Sequence, residues 1–243
     1  MAMMIIGAMC GCTAHESNND VEPGCDMFKT QSGTTVKMYC IKHGSVRMQV
    51  GDKWIYVDPV TTAVKPVTDY TTLPQADYIL VTHEHFDHLD SVAISQLSKQ
   101  GTVFITNARC AEMRGSGDVM ANGDTRAIRK DIQLDAVPAY NYSEGRTMFH
   151  PQGRDNGFIL TIDGFRIYIA GDTEDIPEMA QIKDIDVAFL PVNQPYTMTV
   201  DQCVAAAQVI RPKVLIPYHF SQTDLSGLPD RLPGITVLLR QMQ

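Results

Sequence analysis

The sequence predicts an α/β fold, and three observations support this prediction. The 243 residues have 44% hydrophobic and 20% charged side chains, an ordinary globular composition that can bury a core without disulfides. Strand patterns come first, and strands then alternate with helical segments. Finally, His83, Asp172 and His219 each follow the carboxyl end of an apolar run, which is where α/β sheets collect ligand-binding groups.

The first 30 residues differ from the rest of the chain. An apolar stretch at 3–12 is followed by a polar one at 13–22, and this pattern is similar to a lipoprotein signal with Cys12 or Cys10 as the lipidated residue, although a positively charged start is lacking. We therefore expect a leader or flexible tether at 1–30 and one domain at 31–243. Cytoplasmic and exported, lipid-anchored locations both remain open, and membrane contact is expected only through such an anchor.

Charge and cysteine usage exclude several classes of protein. The formal net charge is −8 and no dense Lys/Arg patch is visible, so we expect a small-molecule substrate and no dedicated nucleic-acid partner. No apolar run reaches 18 residues, so the sequence predicts no membrane-spanning helix. The six cysteines are scattered without a CxxC pair, which argues against a disulfide framework. Nothing in these patterns selects an oligomeric state.

The first elements are predicted to be three short strands. Their alternating patterns cover residues 36–42, 46–50 and 53–57. His43 lies in the first turn and is expected to face solvent, and Gly51-Asp52 fits a two-residue hairpin turn. The third strand ends at Asp58, followed by proline. A carboxylate in that position either serves a site or starts a turn.

The middle of the chain alternates strands and helices. Strands are predicted at 77–82, 102–106 and 131–137, and helices at 89–99 and 108–114. Asn107 is a candidate cap for the second helix, because its side chain can accept hydrogen bonds from the first free backbone amides.

The last third repeats this alternation. Apolar strands at 157–162 and 165–170 are joined by Asp163-Gly164, a sequence that favours a type I′ turn. We predict a short helix at 176–182, a strand at 187–190 and an Ala-rich helix at 200–210. A strand at 213–216 and a final strand or packing segment at 235–239 follow. The strand at 213–216 leads into Pro217-Tyr218-His219.

Metal-ligating side chains are most concentrated after the strand at 77–82. His83, His85, Asp87 and His88 lie within six residues and include three of the seven histidines. Residues two apart in an extended backbone point the same way, so His83 and His85 can bind one ion. Asp87 and His88 can then reach a second ion beyond the turn. Histidine and aspartate are ligands for zinc, manganese or iron, and a merely His-rich loop explains this spacing poorly.

The ordered motifs resemble those of the metallo-β-lactamase superfamily. They are His83-x-His85-x-Asp87-His88, a later histidine, Gly171-Asp172-Thr173 and a final His219 after a strand, spread from about residue 34 to the end. The resemblance implies a four-layered αβ/βα sandwich over residues 31–243, with two metal ions at one edge of the two sheets.

The resemblance also implies roles for individual residues. The first ion would take His83, His85 and a third histidine, and the second would take Asp87, His88 and His219, with Asp172 bridging the two. His150 is the candidate third histidine, because no other histidine lies between His88 and Asp172. Some branches place this histidine where Asn141 stands, which leaves two alternatives to His150 as a full ligand: His150 is a loop residue, or the first ion binds weakly. Asp58 and Thr173 are candidate acceptors for ligand imidazoles, and Tyr142, Tyr196 and Tyr218 are candidate pocket residues.

The implied activity is hydrolysis by a hydroxide shared between two divalent ions, with zinc favoured and manganese or iron as alternatives. Asp87 and Asp172 would orient the hydroxide and accept its proton. The context is similar to the ascorbate-6-phosphate lactonase-like and N-acyl-phosphatidylethanolamine phospholipase D-like branch, which suggests a phosphodiester, a lactone or a related ester or amide. A mononuclear-iron dioxygenase and a β-lactamase proper are the alternatives. A purely structural metal site ranks last, because such sites favour thiolates.

Overall fold

A computed structural model describes residues 24–242, so the predicted lipoprotein signal with Cys10 and Cys12, and most of the leader predicted over 1–30, lie outside the described residues. The chain forms two seven-stranded sheets. Within the described part, no helix combines the length and apolarity needed to cross a bilayer.

The first sheet contains the strands of the amino-terminal half in sequence order. They are β1 (Cys25–Lys29), β2 (Thr35–Lys42), β3 (Ser45–Val50), β4 (Lys53–Val57), β5 (Tyr78–Val81), β6 (Val103–Thr106) and β7 (Asp118–Val119). Strands β1–β4 pair antiparallel and β4–β7 pair parallel. Because β1 pairs with β2, residues 25–29 belong to the folded domain and not to the leader expected over 1–30.

Helices flank this sheet at the predicted positions. Helix α1 covers Ser91–Leu97, α2 covers Ala108–Arg114, and a 3₁₀ turn covers Tyr70–Thr72. Asp90 caps α1 by accepting from the amides of Val92 and Ala93. Asn107 caps α2 as predicted, by accepting from the Cys110 amide at 2.8 Å.

The second sheet repeats the arrangement. It contains β8 (Thr125–Arg129), β9 (Ile132–Ala139), β10 (Asp155–Ile162), β11 (Phe165–Ile169), β12 (Val187–Pro191), β13 (Val214–Tyr218) and β14 (Thr236–Val237). Strands β8–β11 pair antiparallel and β11–β14 parallel. Asp163 and Gly164 both have positive φ, +46° and +78°, as a type I′ turn requires. Helix α3 (Val200–Ile210) and 3₁₀ turns at Pro177–Gln181 and Pro229–Arg231 complete this half.

The hydrophobic core lies between the two sheets and confirms the α/β sandwich. Side chains of both inner faces share one cluster, for example Met48 and Leu80 of the first sheet with Phe158 and Phe189 of the second. A second cluster packs α3 on the outer face of the second sheet, and a third packs α1 and Cys110 of α2 on the outer face of the first. The order of layers is therefore helix, sheet, sheet, helix.

A buried lysine anchors the loop that follows β4. The ammonium of Lys42 donates to the carbonyl oxygens of Thr61, Val64 and Pro66 at 2.7, 2.8 and 2.8 Å. Burial lowers the pKa of Lys42 to about 8, opposed by the charge of Asp90, so the ammonium stays protonated at neutral pH and all three donors are used.

Replacing Lys42 with methionine is expected to lower the free energy of unfolding by about 3 kcal/mol, because three buried carbonyls lose their donor. For a domain of this size the melting temperature should fall by roughly 6–12 °C. Thermal unfolding followed by circular dichroism in the presence of a chelator measures this without a metal contribution. Lys37→Met, a half-buried position on the same strand, is the control and should change stability by less than about 0.5 kcal/mol. Equal stability of the two variants would refute the anchoring role.

Candidate metal centre

The His-rich segment begins where β5 ends at Val81. Asp58, at the end of the neighbouring β4, fixes this junction: its carboxylate accepts from the amide and the hydroxyl of Thr82 at 2.8 and 2.7 Å. The chain then turns, since the amide of His88 donates to the carbonyl of His85 at 2.9 Å. The turn brings His88 back beside His83, with 4.1 Å between the two ring centroids.

Three imidazoles form one half of the centre. His83 Nε2 lies 3.1 Å from His85 Nδ1, and His150 Nε2 lies 3.2 Å from the same atom. Asn141 orients the ring of His150. Its side-chain Oδ1 is 2.7 Å from His150 Nδ1, and its backbone amide donates to the His150 carbonyl at 2.9 Å. Asn141 therefore supports the histidine at position 150 instead of replacing it.

Asp172 connects this half to a second cluster. Its oxygens lie 3.4 Å from His88 Nε2 and 3.2 Å from His219 Nε2, and also 3.9 and 3.5 Å from the Nε2 atoms of His83 and His150. Asp87 Oδ2 lies 3.6 Å from His219 Nε2. Asp172 is thus adjacent to four imidazoles that come from three different loops.

Gly171 allows Asp172 to reach this position at the end of β11. Its φ is +68°, and a Cβ at this residue would lie 2.7 Å from the carbonyl oxygen of Asn156. Both the left-handed backbone and the close approach require glycine. Glycine is therefore the residue that fits immediately before Asp172 at the end of this strand.

The charges in the centre are coupled. Burial tends to raise the pKa of Asp172, but the charges of His219 and His88 outweigh it and hold this pKa well below the ordinary value. Burial tends to lower the pKa of His219, but the carboxylates of Asp172 and Asp87 outweigh it and raise this pKa to about 9. In contrast, burial lowers the pKa of His150 to about 4, and burial together with the charge of His88 lowers that of His83. A positive charge is therefore stabilised beside Asp172, and neutral imidazoles form the other half.

The donor set fits divalent metal ions. His88 Nε2 and His219 Nε2 lie 3.4 and 3.2 Å from oxygens of Asp172. Even so, these two nitrogens and Asp172 Oδ1 are buried and form no hydrogen bond, which is rare for polar atoms unless a ligand uses them. Two nitrogens bound tetrahedrally to one zinc at about 2.0–2.1 Å lie about 3.3 Å apart, close to the 3.1 and 3.2 Å among the three imidazoles of the first half. Three groups of side chains in the centre, one of which also includes His43 and Asp87, could each hold one ion.

The predicted supporting residues differ in what they contact. Asp58 supports a ligand candidate as expected, since its Oδ2 lies 2.8 Å from His88 Nδ1. The Thr173 hydroxyl instead bonds with the backbone of Tyr140 and Glu174, so it fixes the loop and contacts no imidazole. Tyr218 is buried and its hydroxyl donates to the Gly171 carbonyl at 3.3 Å. Tyr218 therefore supports the backbone next to Asp172 and does not line the pocket.

Two other predicted pocket residues are half-exposed, Tyr142 and Tyr196. The Tyr196 carbonyl accepts from the Asn141 side chain at 2.8 Å, so this residue borders the His150 side of the centre. On the other side, the side chain of Asn193 lies 3.4 Å from His219 Nδ1. The loop between β12 and α3 thus contacts His219 directly and His150 through Asn141. Tyr196 of this loop was predicted to lie near the site, whereas Asn193 was not.

The prediction that His43 faces solvent is wrong. Its side chain is 8% exposed, and its Nε2 lies 3.0 Å from Asp87 Oδ2. All six histidines of residues 24–242 therefore meet at this centre. The available signal was the position of His43 at the end of β2, since strand ends are where α/β sheets collect functional groups.

Replacing Asp58 with asparagine is expected to weaken metal binding by about 10- to 100-fold, the usual effect of losing a carboxylate that holds a ligand imidazole. Asparagine tolerates the positive φ of this position, +43°, so the fold should persist. Titration with zinc against a competing chelator measures the change. Asp163→Asn, in the β10–β11 turn at the end of β11 opposite to Asp172, is the control, and equal affinities of the two variants would contradict the assignment.

Comparison with known proteins shows the family to which the chain belongs. A family model described as a β-lactamase superfamily domain matches residues 37–219, which is most of the chain and ends at His219. The chain belongs to the metallo-β-lactamase superfamily. A UPF0173 metal-dependent hydrolase of Thermus thermophilus is 34% identical over 192 residues, which cover 76% of this chain and 84% of the relative.

Solved structures of the superfamily show the same fold. A crystal structure from Parabacteroides distasonis, of a protein assigned as a metal-dependent hydrolase, is 51% identical, has a TM-score of 0.87, and the match covers 90% of this chain and 99% of that one. A metallo hydrolase of Ignicoccus hospitalis is 24% identical with a TM-score of 0.73, covering 86% and 96% of the two chains. This member of the superfamily is accordingly a metal-dependent hydrolase.

Proposed function

We propose that this hydrolase uses two divalent metal ions, preferably zinc. His83, His85 and His150 would hold the first ion, and Asp87, His88 and His219 the second, with Asp172 shared between them. One observation carries the proposal: seven candidate ligand side chains from four loops converge, and three of their buried polar atoms form no hydrogen bond. Such a set would be costly to bury without cations, because unpaired buried polar groups destabilise a fold.

Bound divalent ions supply Lewis acidity, which makes water a nucleophile near neutral pH and polarises the oxygen of an ester or phosphoryl group. The chain itself supplies position and proton acceptors. Asp87 is 20% exposed and Asp172 is 3% exposed, so Asp87 is the acidic side chain that a solvent-side water can reach. In this proposal Asp87 accepts the proton of the attacking water, and Asp172 maintains the spacing of the two halves.

No cysteine nucleophile competes with this chemistry among the thiols of Cys40, Cys110 and Cys203. Burial raises the pKa of each of these thiols to about 12, and none belongs to the groups of metal-ligand candidates. A thiolate is the reactive form of cysteine, so these three side chains are unreactive at neutral pH. Water is therefore the proposed nucleophile.

The surroundings of the centre favour an apolar substrate with little charge. Phe86, between His85 and Asp87, is 74% exposed, and Met148, two residues before His150, is 76% exposed. The nearby arginines are already paired: Arg154 lies 2.9 Å from Glu84, and Arg146 lies 3.2 Å from Glu174. We therefore favour a lactone, an ester or a phosphodiester with apolar substituents over a multiply charged phosphomonoester.

A hydrolysis panel tests this proposal. It contains bis(p-nitrophenyl) phosphate, p-nitrophenyl butyrate, an acyl-homoserine lactone, p-nitrophenyl phosphate and a chromogenic cephalosporin. Turnover of at least one of the first three, abolished by a chelator and restored by zinc or manganese, is the expected result. Turnover confined to the cephalosporin would instead indicate a β-lactamase, and one bound iron with thiol-dependent oxygen uptake would indicate a dioxygenase.

A further inference from the structure

The turn His43-Gly44-Ser45 between β2 and β3 contacts three residues of the proposed second metal site. We infer that this turn is a positioning element of that site, and that His43 acts through Asp87 and His219 without binding the ion itself. The inference rests on the proposed two-metal function. It assigns a role to a segment for which the sequence predicted only an exposed turn.

His43 contacts both of its targets. Its Nε2 lies 3.0 Å from Asp87 Oδ2, and its ring lies against that of His219 with 3.6 Å between the ring centroids. A nitrogen that donates its hydrogen to a carboxylate has no lone pair left for a metal. The hydrogen bond therefore makes His43 a partner of Asp87, and fixes the rotamer of a carboxylate that is otherwise the most exposed acidic group of the centre.

The backbone strengthens this connection. The amide of His219 donates to the carbonyl of His43 at 3.1 Å, which joins the β2–β3 turn to the carboxyl end of β13 in the other sheet. Both residues have positive φ, +47° and +50°, a conformation that is uncommon for residues other than glycine. The two sheets are thus held in register at the site by a hydrogen bond between two backbone positions of unusual conformation.

Gly44 and Ser45 support His88 from the same turn. A Cβ on Gly44 would lie 2.8 Å from His88 Cε1 and 3.1 Å from its Nδ1, so the imidazole packs directly on the backbone. The Ser45 hydroxyl donates to the carbonyl of Asp58 at 2.6 Å, and the carboxylate of Asp58 holds His88. Three consecutive residues therefore fix the second-site ligands from one side.

Metal binding by the variants His43→Ala and His43→Gln tests this inference. The metal-free proteins are titrated with zinc and, separately, with cobalt. The absorption spectrum of bound cobalt reports its ligands. His43→Ala should bind the first ion within about twofold of the wild type and the second at least tenfold more weakly. His43→Gln should restore the second affinity to within about threefold, because the Gln amide can donate to Asp87 as Nε2–H does. Tyr56→Phe, which removes another buried hydrogen bond of the first sheet, should leave both affinities unchanged.

Gly44→Ala provides an independent variant. The φ of Gly44 is not positive, so alanine is tolerated by the backbone and acts only by displacing His88. It should also weaken the second ion selectively, and it should alter the cobalt spectrum of that site.

The outcomes separate this inference from the proposed function. A wild-type chain that binds fewer than two ions contradicts both. Two ions in the wild type and an unchanged second affinity in His43→Ala contradict the inference alone. A His43→Gln variant as weak as His43→Ala would also overturn it, because the ring would then bind the ion directly.

Discussion

Asp172→Asn is expected to reduce hydrolysis by at least about 10³-fold while the protein stays folded. The carboxylate lies next to both halves of the centre, 3.2 Å from His219 and 3.4 Å from His88, so its charge is shared by both proposed ion sites. Asparagine keeps the shape but removes the charge, and losing one preorganised polar group in an active site already costs about 10²–10³-fold. Initial rates with whichever substrate the wild type hydrolyses, at saturating metal, measure this effect.

The metal content of the same variant gives a second readout. One bound ion, or two that exchange readily, is expected, since the side chain no longer joins the halves. The circular dichroism spectrum should match that of the wild type, which separates lost chemistry from lost structure. Turnover equal to that of the wild type would refute the bridging role.

His85→Ala is expected to remove the first ion and the activity together. The side chain supplies the nitrogen that both His83 and His150 approach, at 3.1 and 3.2 Å, so alanine leaves two imidazoles where a catalytic zinc takes three protein ligands. Affinity for the first ion should fall by about 100-fold or more. Because His85 is only half-buried, the melting temperature of the metal-free protein should change little.

The neighbouring residue provides the matched control for this variant. Phe86→Ala alters an exposed side chain of the same loop and should keep both ions. Elemental analysis should therefore separate the two variants, with both ions retained in Phe86→Ala and the first ion lost in His85→Ala. Retention of metal and rate by His85→Ala would contradict the assignment of the first site.

Local signals explain which elements could be predicted from sequence. Helix α2 begins after Asn107 as predicted, because a cap needs only its own next residues. Helix α3 at Val200–Ile210 and the hairpin around Asp163-Gly164 likewise follow from short-range patterns. Strands β1, β7 and β8 were not predicted. Strand β7 has two exposed residues, and neither β1 nor β8 shows a continuous apolar pattern, so these strands depend on pairing with neighbours.

The same distinction applies to the metal centre. The His-rich segment, Asp172 and His219 follow strand ends, and Asp58 contacts His88 as expected for a supporting carboxylate. His43 was missed because its contact with Asp87 spans 44 residues, and its position at the end of β2 was the one sequence signal that pointed to the site. Thr173 and Tyr218 follow or end apolar strands too, but their hydroxyls bond with backbone atoms, which sequence position alone does not distinguish.

Two metal ions are proposed to share this cluster of histidines and aspartates. Elemental analysis of the protein purified without added metal and then desalted, with the protein concentration determined by amino-acid analysis, tests this number. Close to two divalent ions per chain, preferably zinc, are expected in the wild type. A single ion per chain that does not increase when zinc is added would contradict this proposal.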